Sequence, residues 1–273
     1  MNKVKSLIIT GFGINCEKEM QEAYTLAGAQ ADIVHLNEIF LQNISLHDYN
    51  ILNFPGGFSF GDDLGSGKVM ANKMKFKKLK NGVKFFDKLK DFIDKGNYIL
   101  GICNGFQFLV KMGLLPQTEG KIKQEVTLTF NESGKFENRW CYHKVNPKST
   151  TPFLKDIEII CLPVRHGEGR LVFGNVNVEK EVRKNNLNCL SYCNKDGNIT
   201  SNYPQNPNGS QLNCAALTDK TGRIFGMMPH PEAFLSIYNH PAWTSLKING
   251  LKNDKGEGLK IFNNIVQHIK IES

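Results

Sequence analysis

Tyr98-Ile99-Leu100-Gly101-Ile102-Cys103-Asn104-Gly105-Phe106-Gln107, followed by Phe108 to Met112, is the stretch from which the rest of this chain is read. An apolar run feeds a cysteine that has a glycine two positions to either side, and a helix-like run follows. A strand that turns sharply into a helix pushes the turn residue out of the backbone, as in the G-x-S-x-G turn that presents a nucleophilic serine. Small neighbours let the chain bend and a substrate approach. The helix that begins after Cys103 offers free N–H groups and a positive dipole end, and both favour a thiolate.

A base must come from elsewhere. Gly226-Met227-Met228-Pro229-His230-Pro231-Glu232 ends another apolar strand and places an imidazole and a carboxylate two positions apart. Nucleophilic cysteine chemistry needs such a base and a group that orients it. Pro229 and Pro231 stiffen the turn that carries them. Taken singly, Cys103 reads equally as a buried structural cysteine and His230 as a satisfied core histidine. Two such turns in one chain argue for chemistry.

Outward from these turns, the first half alternates strand and helix signals. Strands are expected at 4–10, 31–36, 49–54 and 98–102. A helix is expected over 15–27, with Asn15 as its N-cap. This rhythm predicts a parallel sheet with helices on both faces and functional loops beyond the carboxyl ends of the strands. Gly11, Gly56-Gly57, Cys103 and His230 each follow a strand candidate, so they are expected on one edge. The second half is richer in strands, at 126–130, 140–145, 158–163, 187–192, 214–218 and 224–228. Residues 201–210 read as a loop and 258–271 as a closing helix. Nucleophile and base lie in different halves, so residues 1–273 are expected to form a single domain.

Asn53-Phe54-Pro55-Gly56-Gly57-Phe58-Ser59-Phe60-Gly61-Asp62-Asp63 is the next informative stretch. Its glycines let backbone N–H groups face a ligand. The N–H groups of Gly57 and Asn104 are the candidates to stabilise an oxyanion formed by attack of Cys103 on a carbonyl. Arg165-His166-Gly167-Glu168-Gly169-Arg170 is either a site rim or a solvated surface loop. Gly11-Phe12-Gly13-Ile14-Asn15-Cys16 is an imperfect dinucleotide fingerprint and reads as a strand-to-helix turn. No G-x-x-x-x-G-K-[ST] occurs, which argues against nucleotide hydrolysis by this chain. Cys141 with His143, and Cys189 with Cys193, lack the spacing of a four-ligand zinc set, and no metal site is expected.

Bulk properties narrow the class. The chain has 273 residues, a net charge of +8 and seven irregularly spaced cysteines. It shows no signal-peptide pattern and no 18-residue apolar run, so it reads as a soluble, cytoplasmic protein with free thiols. The positive charge concentrates in lysines 73, 75, 77, 78, 80, 84, 88 and 90. With Phe85, Phe86, Leu89, Phe92 and Ile93 at helical spacing, that stretch reads as an amphipathic helix with a solvated lysine face. A docking surface for an acidic partner is the alternative. No basic-aromatic RNA motif appears, and no nucleic-acid partner is expected.

The elbow and the Pro229-His230-Pro231-Glu232 turn resemble those of class I (triad) glutamine amidotransferases. The finer match is to the glutaminase components of phosphoribosylformylglycinamidine synthases, which act in purine biosynthesis. Gly13-Ile14-Asn15-Cys16-Glu17, the Pro55 to Asp62 loop, Gly101 to Gln107 and Met228 to Glu232 carry it, with Asn138-Arg139-Trp140 and His166 to Gly169 in support. The resemblance implies a flavodoxin-like α/β fold with a central, mostly parallel sheet flanked by helices. It implies Cys103 as nucleophile, His230 as base and acid, and Glu232 as orienting carboxylate. Gly56, Gly57, Asn104, Gln107 and Arg139 are the implied substrate-binding positions, with Gln107 lining the amide pocket and the backbone near Arg139 holding the amino-acid end of the substrate. It implies glutamine as substrate and, as partners, a synthetase subunit and a small third subunit. No cofactor is expected in this chain; ATP and Mg belong to the synthetase. A glutaminase serving GMP, CTP or carbamoyl phosphate synthesis, a γ-glutamyl peptidase and a non-catalytic basic binding protein are the alternatives. The family often has arginine where this chain has Ala233, and the sequence around 174–210 and 236–255 exceeds a compact glutaminase subunit.

Overall fold

The computed structural model describes residues 3–250 and 252–272. Along the chain the strands are β1 (Lys5–Thr10), β2 (Gln30–His35), β3 (Ile51–Phe54), β4 (Tyr98–Ile102), β5 (Val126–Thr129), β6 (Glu137–Val145), β7 (Ile159–His166), β8 (Arg170–Phe173), β9 (Asn188–Cys193), β10 (Cys214–Thr218) and β11 (Ile224–Met227). The helices are α1 (Glu17–Leu26), α2 (Leu36–Phe40), α3 (Lys68–Phe76), α4 (Phe85–Asp94), α5 (Asn104–Met112), α6 (Val176–Lys184), α7 (Trp243–Ile248) and α8 (Leu259–Glu272). One sheet of nine strands runs β2-β1-β3-β4-β11-β10-β9-β6-β7, and β5 pairs with β8 apart from it.

The sheet has two characters. β2, β1, β3, β4 and β11 are mutually parallel. From β11 onward each neighbour is antiparallel, through β10, β9, β6 and β7. Parallel neighbours need crossover helices, which cover both faces and bury the strands on both sides. Every residue of β3, β4 and β11 is accordingly buried, and β10, antiparallel to both its neighbours, is buried throughout as well. On one face α1 turns Met20, Ala23 and Tyr24 inward, and Tyr24 meets Phe262 of α8 edge-on at 5.0 Å. On α5, Phe106, Phe108, Leu109, Val110 and Met112 are buried, and Phe108 packs 4.3 Å from the ring of Phe54 on β3. A buried polar chain ties three central elements: Tyr24 Oη donates to Asn53 Oδ1, and Asn53 Nδ2 donates to Ser6 Oγ. All seven cysteines are free. Among the described residues no helix is long and apolar enough to cross a membrane.

Most strands match their expected spans to within a few residues, and the closing helix falls where the periodicity puts it. Three readings need correction. The lysine-rich stretch is not one helix. α3 ends at Phe76, a turn with Gly82 at φ +81° reverses the chain, and α4 begins at Phe85. Phe85, Leu89 and Phe92 are buried on α4 as their spacing predicts, whereas the first five lysines belong to α3 and the turn. Asn15 is not the N-cap of α1. Its N–H is bonded to Gly56 O at 3.1 Å, and Cys16 takes the cap position without a side-chain cap bond. The stretch 174–210 is no mere addition, because it supplies α6 and then β9 in the main sheet. The stretch 236–255 holds α7 and spans Leu251, which lies outside the described residues.

Candidate active site

Because β1, β3, β4 and β11 are parallel, the turns that follow them open on one edge. Register aligns them closely: Phe54 opposes Gly101, and Ile102 opposes Met227. Cys103 therefore emerges beside the end of β11, and its N–H donates to Met227 O at 2.8 Å. Its backbone is strained, with φ 52° and ψ −104°. A non-glycine residue at positive φ persists only where its surroundings over-determine it. Here they do. A Cβ on Gly101 would stand 2.7 Å from Gly105 O, and one on Gly105 only 1.8 Å from Phe54 O. Only bare backbone fits between β3, β4 and α5.

His230 follows β11 and is anchored twice. Its N–H donates to Pro163 O at 2.8 Å, and its ring Nδ1 lies 2.6 Å from Glu232 Oε1. Both side chains are buried. With Nδ1 taken by the carboxylate, Nε2 is buried without a hydrogen-bond partner. Burial opposes a charge on this ring. The Glu232 carboxylate and the Cys103 sulfur outweigh it, and the His230 pKa is raised well above the ordinary histidine value. The three residues expected to act together are thus brought together.

β7 is the far strand of the sheet, yet it returns to this edge. Besides Pro163 O on His230, the carbonyl of Arg165 lies 3.5 Å from Cys103 Sγ. β6 pairs with β7, so Arg139, opposite Val164, sits one position from that carbonyl. The Arg139 guanidinium itself is engaged. Its Nε donates to Glu137 Oε2 at 2.8 Å, and Nη2 donates to Tyr203 Oη at 2.6 Å.

The glycine loop sits over the same edge. A Cβ on Gly56 would fall 2.7 Å from His230 Cε1 and 3.2 Å from Cys16 Sγ, so this glycine is the floor against which both side chains rest. Gly57 is at φ +144° against Gly13 and Ile14. The bonds on either side of it, Asn15 N–H to Gly56 O and Phe58 N–H to Gly13 O, leave the Gly57 N–H unused by the loop. An N–H in that position, with the Asn104 N–H at the start of α5, can serve an oxyanion.

The side chains of Asn104 and Gln107 have a different task. Asn104 Oδ1 accepts from Ser59 N–H, and its Nδ2 donates to Asp62 Oδ1 and Gln107 Oε1. Gln107 Nε2 donates to Glu168 O at 2.6 Å. Ser66 closes the ring by donating its Oγ–H to Asp62 and its N–H to the Glu168 carboxylate. Loop 58–67, α5 and loop 166–169 are clasped together through these groups, and burial raises the Asp62 pKa. Both ends of the Gln107 amide are therefore spent inside the protein. His166 is buried with Nδ1 3.0 Å from Asn131 Oδ1, and burial, reinforced by the charge of His230, lowers its pKa to about 3.

Sequence reading missed Cys16, Asp62 and Asn131 as parts of this edge. Cys16 and Asp62 lie inside stretches singled out for their glycines, but nothing local says that Cys16 Sγ rests beside His230. Asn131 carries no local signal.

Comparison with known proteins places the chain by sequence and by fold. Residues 3–269 match the family model of the CobB/CobQ-like glutamine amidotransferase domain. The chain belongs to that family. The chain is 45% identical to phosphoribosylformylglycinamidine synthase subunit PurQ of Dehalococcoides mccartyi, over 98% of both chains. It is 41% identical to the subunit of the same name from Methanococcus maripaludis, over 97% of both. Among solved structures it resembles a chain of PurLQS from Thermotoga maritima, with a TM-score of 0.70 and 27% identity, covering 98% of this chain and all of that one. The expected amidotransferase fold is thereby established.

The buried histidines of this amidotransferase set a pH signature. His143 and His166 are each lowered to about 3 by burial. In the unfolded chain both take up protons near pH ~6.5, so below that pH the unfolded state binds more protons and stability falls as pH falls. Each contributes a slope of up to about 1.4 kcal/mol per pH unit. His230 acts in the opposite sense: its raised pKa gives stability that is complete below pH ~6.5 and is lost as pH climbs toward the folded value. Thermal unfolding across pH 5 to 9 should show a maximum near pH ~6.5. A Tm that stays flat from 6.5 down to 5 would contradict the neutral buried state of His143 and His166.

Proposed function

We propose that this chain hydrolyses glutamine to glutamate and ammonia through a thioester on Cys103, and supplies the ammonia to a synthetase that makes phosphoribosylformylglycinamidine in purine biosynthesis. One observation carries the chemistry: the strained Cys103 elbow is bonded to the end of the strand that presents the 2.6 Å His230–Glu232 pair. The identity with PurQ subunits over nearly the whole chain supports the choice of pathway.

The Cys103 sulfur attacks the side-chain amide carbon of glutamine, and the carbonyl electrons move onto oxygen, where the N–H groups of Gly57 and Asn104 stabilise the charge. The tetrahedral intermediate collapses. Its C–N bond breaks, and the imidazolium of His230 protonates the departing nitrogen, which leaves as ammonia. The raised His230 pKa suits that step, because the ring carries a proton ready to give. Neutral His230 then takes a proton from water, which attacks the thioester and releases glutamate and the sulfur. Glu232 holds Nδ1–H throughout and keeps Nε2 directed at the reacting atoms. Arg139 and the backbone beside it hold the amino-acid end of glutamine. Gly56, by its lack of a side chain, gives His230 its place.

Ammonia released into water becomes ammonium and is no longer a nucleophile. The chain therefore works in a complex with a synthetase subunit, which holds ATP and Mg, and with a small third subunit, in the cytoplasm. It needs no cofactor of its own. The similar solved chain comes from PurLQS, which supports such an assembly. Expression of the chain in a purine-requiring host that lacks its own subunit, together with the cognate synthetase, tests the pathway. Growth without any purine is the expected result. Relief of only a guanosine requirement would assign the chain to GMP synthesis instead.

A further inference from the structure

Both ends of the Asn104 side-chain amide are engaged inside the protein. Its Oδ1 accepts from Ser59 N–H at 3.1 Å, and its Nδ2 donates to Asp62 Oδ1 at 3.1 Å and to Gln107 Oε1 at 2.9 Å. This amide cannot be turned over. A carboxylate only accepts, a peptide N–H only donates, and Gln107 must present Oε1 because its Nε2 donates to Glu168 O at 2.6 Å. We infer that Asp62 and the Asn104 side chain form a strut between the glycine loop and α5 that fixes the two oxyanion donors, Gly57 N–H and Asn104 N–H, relative to each other. Asp62 is then a positioning residue for the reaction proposed above.

The two donors stand on separate segments, Gly57 in the loop after β3 and Asn104 at the start of α5. The residue whose backbone N–H faces the oxyanion grips, with its side chain, the peptide two positions beyond Gly57. Asn104 and Ser59 are buried, so water does not compete for that bond. Asp62 holds the other end, and its second oxygen takes the Ser66 Oγ–H at 2.9 Å. From Ser59 to Asp62 the loop needs such fixing. Phe60, Gly61 and Asp62 have φ of 56°, 68° and 53°, and two of them are not glycine. That conformation persists only where its surroundings over-determine it. The Asn104 bonds to Ser59 and Asp62 bracket it, and Phe60 N–H on Phe12 O pins its middle. Packing contributes less, because Phe58 and Leu64 on either side are exposed. A negative charge on Asp62 does nothing to help an oxyanion form. Its contribution is the acceptor geometry, which an uncharged amide of the same shape reproduces.

The kinetic consequence rests on the glutaminase reading; the strut itself does not, and the test keeps the two apart. In the reconstituted complex, Asp62→Ala should lower kcat for glutamine about 10–100-fold, the scale of a misplaced oxyanion donor, with KM within ~3-fold. Asn104→Ala keeps the backbone N–H and removes only the strut, and it should show the same split. Asp62→Asn should restore kcat to within ~5-fold, because its Oδ1 still accepts from Asn104 and its amide can donate to Ser66 Oγ. Iodoacetamide labelling of Cys103 should keep its rate in all three, which shows the elbow intact. Apart from activity, the backbone amide signals of Gly57 and Asn104 in 15N-labelled full chain should move in Asp62→Ala and return in Asp62→Asn. A kcat within ~3-fold of the unmodified complex in both alanine variants overturns the strut, as does an Asp62→Asn defect equal to that of Asp62→Ala. Should the unmodified complex split no glutamine, the amide signals alone decide. Movement in Asp62→Ala with return in Asp62→Asn keeps the strut and removes the glutaminase reading, and unmoved signals overturn the strut.

Discussion

Cys103→Ala should lower glutamine-dependent turnover by roughly 10⁴- to 10⁶-fold, the range seen when a covalent nucleophile is removed from a site whose remaining groups stay in place. The thioester cannot form, and water has no activated partner. The fold should survive. The turn that holds Cys103 is set by Gly101, Gly105 and the backbone bond to Met227, and none of these involves the sulfur. The reconstituted complex carrying this variant should therefore keep its ammonium-dependent synthesis. That split separates a chemical defect from a failure to assemble. It is read by glutamate release and product formation, each measured with glutamine and with ammonium. Glutamate release within ~10-fold of the unmodified chain would end the assignment of Cys103 as nucleophile.

Gly105→Ala should cost about 3–5 kcal/mol of stability, a size reserved for changes that force atoms into occupied space. The added Cβ would sit 1.8 Å from Phe54 O, 2.6 Å from Phe54 C and 2.9 Å from Phe54 Cβ. Two of those atoms are backbone at the end of β3, just before Pro55-Gly56-Gly57, and they cannot swing away as a side-chain tip can. Either α5 lifts off the sheet or the glycine loop moves, and each shifts Cys103 from His230. Gly167→Ala is the control, because a Cβ there meets only the Phe136 ring edge at 3.9 Å. Urea unfolding of both variants is the measurement. A Gly105→Ala loss below ~1 kcal/mol would mean that the elbow is looser than its contacts indicate.

The legible parts of this protein are those whose signals are local. β4 is legible to the residue, because an apolar run ending in Gly-x-Cys-x-Gly states both its strand and its turn. The His230-Pro231-Glu232 turn was equally plain. Other elements carry weak patterns. α3 buries Met70, Ala71 and Met74 among lysines, and its start at Gly67 has no capping side chain. β8 has four residues, and α6 buries only Val182. Asn15 has the residue type of a cap but does not serve as one, because Gly56, distant in sequence, claims its backbone N–H. The side chains of Asn104 and Gln107 show the same limit. Their positions beside the nucleophile were legible, whereas their use in a clasp with Asp62, Ser66 and Glu168 was not.

The order of residues alone determined the chemistry on offer: a cysteine forced out of the backbone by neighbouring glycines, and an imidazole with a carboxylate two positions away. Those are short-range facts, because glycine and proline restrict their own and adjacent dihedral angles whatever surrounds them. Tertiary structure decided which groups meet. It curled the far strand β7 back so that Pro163 and Arg165 touch His230 and Cys103, and it set Cys16 beside the same ring. Such meetings depend on sheet order, twist and the packing of chain segments far apart in sequence, and no window of residues contains them.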